Sequence, residues 1–579
     1  MARCNRLDDV NSRKILREGL QPLVLVLVTL VVGLPLCFGR SLAGHDVFAY
    51  MIHAQQTMVN LRAGEIFPAW GGDYYAGYGS PALLFFPPLT SYANATVGLI
   101  GIPVVTAVCG LALVAYLASG LAMLGWIRSK GLRVEALPAA VMYMVAPYRF
   151  IDLYPRTAIA EHWAFIWPPL ILWVAGAKNL RALVRIPVLA LLVAALLLTN
   201  LPLAVLFGLG LGVWYLFTED FRGRRLQVAA GAGLGFAIAS FALVPQAMAS
   251  SLLAIEQFFG SEAGPYRVSQ NTLYSAGFAE WNFNTTVSTA LLATFALAVL
   301  AYLLIPRSER SARRVKIAMV GALICVLSAT GPVGKLWDHL PILSNLQFPW
   351  RVAALLTLIV AFLTARLAPR RAWKLVFLTA VVAIPFLGWS TTLPRAAFAN
   401  AEPPQSPPGS VFPDPHAVWE ASSGGWFWEH ENLVELCLVP ENMKPFLIPE
   451  LMGVRSRELD AIRDKPAVVR EDRSASVRVI SWGPVKREIE VNSPNGGTLI
   501  WRAISFPDMS VEVDGREVPT HADPVTGLLA NPVPPGDHRL EWRWQPFPAL
   551  QWGRRVTIAA LTLTVGLLIV AGLGWVRSR

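Results

Sequence analysis

Long apolar runs alternate with short polar joints along most of this chain, and many of the joints carry arginine or lysine. The runs fall at 22–38, 82–100, 104–127, 137–146, 163–177, 186–199, 203–217, 228–244, 286–305, 317–330, 352–367, 375–393 and 556–576. A helix needs roughly 20 apolar residues to cross a bilayer core. The pattern therefore predicts a polytopic α-helical membrane protein with about 12 transmembrane helices. The stretch 82–100, which holds Pro87-Pro88 and Asn94, is the exception and reads as an interfacial helix on the outer leaflet. With it excluded, the basic clusters around Arg128, Lys178, Arg222, Arg307 and Arg370 all fall on the cytosolic side with the N-terminal Arg13, Lys14 and Arg17. Counting it as a span would split the clusters at Arg128 and Lys178 between the two faces. Arg554 and Arg555 run against the charge rule.

Beyond 393 the period changes from helical to two. Alternating segments at 476–480, 488–491, 498–501, 510–513 and 538–544, with turns at Asp514-Gly515 and Pro535-Gly536, predict a small antiparallel β-sandwich. Residues 401–409, rich in proline, read as a linker. The expected organisation is a transmembrane domain over 1–393, with outer loops 40–103, 148–162, 245–285 and 331–350. An extracytoplasmic β-rich domain over 394–551 and a final transmembrane helix over 552–579 complete it.

Composition sharpens this picture. Of 579 residues 54% are hydrophobic and only 15% charged, with a mean hydropathy of +0.48, which excludes an ordinary soluble domain. The net charge of +11 sits at the ends of apolar runs, where membrane orientation needs it, and does not point to nucleic acid. Five cysteines (Cys4, Cys37, Cys109, Cys325 and Cys437) form no disulfide framework and no metal-ligand spacing. The first run lacks a clear small-residue cleavage site near Arg40 and reads as a retained span.

Three constellations could carry chemistry, all on the outer side of this topology. Asp46, beside His45, follows the first span and is a candidate base; a solvated loop acid is the plainer alternative. The loop after it is rich in Gly, Pro and aromatic residues, including Trp70, Asp73 and Tyr78, and suits a folded interfacial surface. Arg156 and Glu161 flank the entry to the run 163–177, where a bare carboxylate is costly unless paired or functional. An ion pair that merely fixes the loop is the alternative there. Gln347-Phe348-Pro349-Trp350-Arg351 enters the run 352–367, and an outward Arg351 could hold a phosphate bidentately or serve only as an interfacial anchor. Arg267, Asp73 and Tyr78 are lesser candidates. Trp419, Trp426 and Trp428 could stack on a sugar face or simply fill a core.

The outward acid, Gly77-Tyr78-Gly79-Ser80-Pro81, Phe85-Phe86-Pro87-Pro88, Arg156…Glu161 and Gln347-Phe348-Pro349-Trp350-Arg351 together resemble the bacterial 6-pyruvoyl-tetrahydropterin synthase-related membrane proteins. They are also similar to YfhO-type proteins and to the GT-C superfamily of membrane glycosyltransferases. The resemblance covers roughly 15–395, and the Asp514-Gly515 turn extends it into the β-rich domain. It implies a GT-C-like fold in the bacterial inner membrane. It further implies transfer of a sugar from a polyprenyl-phosphate donor to an envelope glycan or protein acceptor on the outer face. On that reading Asp46 is the base, Glu161 a positioner or second acid, and Arg156 and Arg351 phosphate partners. His45, Asp73, Tyr78, Arg267, Gln347 and Trp350 are further substrate contacts. The superfamily often has two adjacent acids in this loop, whereas here His45 precedes a single Asp46, so a divalent metal is not indicated. A lipid or glycolipid transporter and a non-catalytic envelope-assembly scaffold are the alternatives. The near absence of ionisable residues inside the runs speaks against transport.

Overall fold

The computed structural model describes residues 2–37, 46–72, 74–249, 267–275, 281–340, 342–392, 462 and 465–576. His45, Asp73 and the Trp419, Trp426 and Trp428 patch lie outside the described residues.

Five helices are long and apolar enough to cross a membrane: Gly19–Leu36, Val104–Ser129, Ala182–Thr199, Phe283–Leu304 and Pro548–Gly574. Two bent pairs add to these. Arg225–Ile238 turns by 65° into Ser240–Met248, and Arg313–Ser328 turns by 82° into Gly331–Asp338. Ala136–Val145, Leu201–Phe217 and Pro349–Thr364 are apolar but shorter. Among the described residues, length and composition thus carry five crossings, or up to seven if each bent pair is one span. The run 163–177 is broken: it divides into Ile159–Ala164 and Trp167–Gly176, the second opening with Pro168-Pro169 in its first turn.

The segment 82–100 forms a 3₁₀ turn, Ala82–Leu84, and a 12-residue helix, Pro88–Leu99. At 1.5 Å per residue that helix is about 18 Å long, well short of a hydrocarbon core. The loop expected over 40–103 is more ordered than its composition implies. It contains a 16-residue helix, Val47–Arg62, packed against Pro88–Leu99. Gly and Pro are absent from 47–62, which lets that stretch form a helix.

The β-rich region is a pair of antiparallel sheets. Its strands are β1 (Ala467–Val469), β2 (Ser476–Trp482), β3 (Lys486–Ser493), β4 (Gly497–Ile504), β5 (Met509–Val513), β6 (Arg516–Val518), β7 (His521–Ala522), β8 (Leu528–Val533) and β9 (Gly536–Trp544). One sheet has the order β1-β4-β8-β7 and the other β2-β3-β9-β5-β6. Alternation sets the faces: on β9 Leu540, Trp542 and Trp544 turn inward while Arg539 and Arg543 turn out.

This core is not closed by its own strands alone. Trp70, Tyr74 and Tyr78 from the loop after Val47–Arg62 are buried in it with Ile504, Phe506 and Trp544. The fully buried Arg487 donates to the carbonyls of Gly72 at 3.0 Å, Gly77 at 3.2 Å and Arg502 at 2.7 Å. The Ile504 amide donates to the Tyr78 carbonyl at 2.8 Å. Gly72 has to be glycine here, because a Cβ would sit 2.8 Å from Pro484 Cα. Tyr78 packs in this core beneath Arg502, whose guanidinium is 5.1 Å from its ring.

Replacing Arg487 with Met strands these buried carbonyls and is expected to cost about 3 kcal/mol or more. Hydrogen exchange should then accelerate in 71–80 and in β3 together. Faster exchange in β3 with 71–80 unchanged would contradict a shared core.

Candidate active site

Three short irregular segments build the site, and proline starts two of them. Pro147 occupies the first turn of the helix Pro147–Leu153, and Pro349 that of Pro349–Arg351. Two non-glycine residues at this site hold left-handed backbone angles. Thr157, next to Arg156, has φ 50°, and Gln347 has φ 61° and ψ −59°. Around Gln347 the Phe348 amide donates to the Leu346 carbonyl at 2.6 Å, a strained γ-turn. Strain of this kind persists only where the surroundings over-determine it, and it gathers at functional sites.

Glu161 is the node. Its side chain is fully buried and accepts from Arg156 Nη1 at 2.8 Å, from Arg351 Nε at 3.2 Å and from the Tyr148 hydroxyl. Arg156 Nη1 also donates to Asp152 Oδ1 at 2.8 Å. Arg351 Nη1 donates to the Leu346 carbonyl at 2.9 Å and to Gln347 Oε1 at 3.0 Å. Trp350 lies beneath the Arg156 guanidinium, 4.8 Å from its centre, and stacks on Phe348 at 4.8 Å. With three donors upon it, Glu161 orients two guanidinium groups and is not a free acid.

Asp46 joins this cluster from the far side. Its amide donates to the Arg156 carbonyl at 2.8 Å, and its Oδ2 is 3.9 Å from Arg156 Nη2. It occupies the N-cap position of Val47–Arg62 but its carboxylate makes no capping hydrogen bond. An aspartate at such a position ordinarily caps the helix; this one keeps its oxygens for another partner. Its side chain is 41% accessible, with protein packed around the rest of it. That desolvation pushes its carboxyl above the ordinary carboxylate range, while Arg156 and then Arg351 pull it back.

The structure thus brings Asp46, Arg156, Glu161, Gln347, Trp350 and Arg351 together. Arg267 does not join them: its Nε donates to Asp338 at 2.9 Å and pins the turn Val268–Asn271 to the helix Gly331–Asp338. Among the described residues no group of His, Cys, Asp and Glu side chains could hold a metal ion.

Sequence reasoning missed Tyr148, Asp152 and Arg149. Asp152 and Arg156 stand four residues apart, the spacing of a helical ion pair, which was the available signal. Arg149 is fully buried between the Tyr116 and Phe165 rings, at 5.0 and 4.0 Å, and donates to Ser119 Oγ and to the His162 carbonyl. Nothing in an unaligned sequence marks such a placement. Glu161→Gln should cost about 3–5 kcal/mol, because it leaves two buried arginines without their shared carboxylate. Tyr148→Phe, which removes one donor, should cost only about 1 kcal/mol. Thermal unfolding of the purified protein checks the ranking, and equal losses would contradict it.

With this geometry in hand, comparison with known proteins gives a family. The profile of the 6-pyruvoyl-tetrahydropterin synthase related domain, described as a membrane protein, matches residues 83–396. No curated protein matches. Among solved structures, the single-particle cryo-EM structure of the arabinofuranosyltransferase AftD from Mycobacteria has a TM-score of 0.42 at 14% identity, over 66% of this chain and 27% of that one. A mutant form of the same protein gives a TM-score of 0.39 at 15% identity, over 66% and 28%. The chain therefore spans little more than a quarter of the length of these structures. Matched over more than half of its own length, it belongs to the 6-pyruvoyl-tetrahydropterin synthase related family of membrane proteins.

Proposed function

We propose that this protein is a membrane glycosyltransferase that moves a sugar from a polyprenyl-phosphate carrier to an envelope glycan or protein acceptor. Its place on this reading is the bacterial inner membrane, with the site and the β-rich domain on the outer face. The observation that carries the reading is the meeting of a half-open carboxylate, Asp46, with two arginines that one buried glutamate holds in place. Among the described residues, Arg156 Nη2 and Arg351 Nη2 donate no hydrogen bond, and Arg156 Nη2 stands 3.9 Å from Asp46 Oδ2, which leaves both nitrogens for a ligand.

The chemistry follows from the charges. Asp46 takes the proton of an acceptor hydroxyl as its oxygen attacks the anomeric carbon. The bond from that carbon to the phosphate oxygen breaks, and the electron pair leaves with the polyprenyl phosphate. The leaving group gains negative charge, so it needs cations more than a proton, and Arg156 and Arg351 supply them. Transport is the weaker reading. Charged residues in the five long helices lie near their ends, as Arg128, Arg185 and Arg554 do, and not at mid-membrane where transporters bind.

Asp46→Asn, with normal expression, should abolish the glycan or glycolipid product in a comparison of surface glycans; an unchanged profile removes the base. The pH–rate profile is a second check. A base acts only when ionised, so turnover should fall as pH drops through the Asp46 pKa. That acid limb should lie above the roughly 3.9 of an ordinary aspartate. A rate flat down to pH ~4 would contradict the assignment.

A further inference from the structure

A second charged site lies at the other end of the helix bundle. The helix Val352–Thr364 begins at Arg351 in the first site and runs 13 residues, about 20 Å. Just past its end, Arg366 feels the charges of Arg314 and Asp220. Beside these residues a cavity of about 470 Å³ opens between the end of Leu201–Phe217 and the starts of Arg225–Ile238 and Arg313–Ser328. Arg222, Arg225 and Arg313 line it.

The electrostatics of this cavity are unbalanced. Two helix N-termini, of 14 and 16 residues, meet here without a side-chain cap, and each carries partial positive charge. Arginine in a first turn adds to that charge, although acids are the favoured residues there. Two acids are close by, Glu219 in the cavity lining and Asp220 beside it, and neither offsets the three arginines. Asp220 is nearly buried and already engaged by Arg314 at 2.6 Å, Lys130 at 3.4 Å and Trp214 Nε1 at 3.0 Å. Glu219, the other acid, makes only a 3.9 Å pair with Arg222 in which both side chains are more than 70% exposed, worth little in water. Arg313 has no hydrogen-bond or ion-pair partner among the described residues.

The rim has the opposite character. Leu216, Phe217 and Leu226 are 60%, 50% and 83% exposed beside the cavity mouth. A free anion has no use for these side chains, but acyl chains do. We infer that the cavity holds the phosphate headgroup of an anionic phospholipid, gripped by Arg222, Arg225 and Arg313 while its chains lie over Leu216, Phe217 and Leu226. A zwitterionic lipid brings its own cation and is excluded by the same surplus of charge. The basic clusters that orient membrane proteins are normally solvated fringes; this one surrounds a cavity and two dipole ends.

The test uses purified full-length protein in detergent and native mass spectrometry, with phosphatidylglycerol, phosphatidylcholine and inorganic phosphate as separate probes. Wild type should retain one phosphatidylglycerol and not phosphatidylcholine. The variant Arg222→Gln/Arg225→Gln/Arg313→Gln should bind phosphatidylglycerol at least about tenfold more weakly, since each lost cation near a phosphate weakens the attraction. A control, Lys316→Gln/Arg370→Gln/Lys374→Gln, removes as many charges outside the cavity and should bind as wild type does. Without lipid, the cavity variant should unfold at the same temperature as wild type or higher, because it loses repulsion at two helix starts. Equal loss of lipid in both variants, retention of inorganic phosphate as firmly as the lipid, or a lipid-free cavity variant that unfolds early would each overturn the inference.

Discussion

A single carboxylate holds the outer end of this molecule together. Glu161 stands fully buried in a short helix, and it accepts from Arg351, 190 positions away in the chain. It also fixes Arg156, whose backbone carbonyl in turn receives the amide of Asp46. Three stretches of chain therefore converge because one buried charge needs partners. An unpaired carboxylate in such a place would cost several kcal/mol, so the arrangement is tightly specified. The two strained backbones, at Thr157 and Gln347, are consistent with that demand: the turns are bent to bring guanidinium groups to the acid.

The same constraint divides the labour among the polar groups. Arginines saturated on one side by Glu161, Asp152 and backbone carbonyls keep their outer nitrogens at fixed positions. Rigid, planar donors are what a phosphate needs, and their orientation is settled before any ligand arrives. Asp46 differs from Glu161 in every relevant respect: it is partly open, it does not cap its helix, and no donor saturates it. Two carboxylates within a few ångströms of one arginine thus sit in different surroundings, one buried and bonded, the other partly open. The β-rich region extends this rigidity. Arg487 and Tyr78 bind its core to the loop that follows Val47–Arg62, the helix that carries Asp46 at its start.

Much of the fold was legible in the sequence. The period-two stretches at 476–480, 488–491, 498–501, 510–513 and 538–544 all became strands, because alternation and Gly turns act locally. The strands β1, β6, β7 and β8 were not seen, and of these β1, β6 and β7 have three residues or fewer, too few for a period to register. At the Pro87-Pro88 break 82–100 divides into a 3₁₀ turn and a 12-residue helix. Arg156, Glu161 and Arg351 stood out because charge at the ends of apolar runs is conspicuous. Tyr148, Asp152 and Arg149 did not, since only packing reveals that they are buried. Tyr78 and Arg267, the lesser candidates, sit against Arg502 and Asp338, and the sequence alone did not name those partners.

The central claim is that Glu161-held arginines receive a phosphate while Asp46 handles a proton. Binding of a polyprenyl monophosphate to the purified protein separates the two. Arg351→Lys should weaken that binding by about tenfold or more, because a point cation cannot reproduce a guanidinium fixed on both sides. Asp46→Asn should bind as tightly as wild type, or more so. Equal affinity in wild type and Arg351→Lys, or loss of binding in Asp46→Asn alone, would contradict the account.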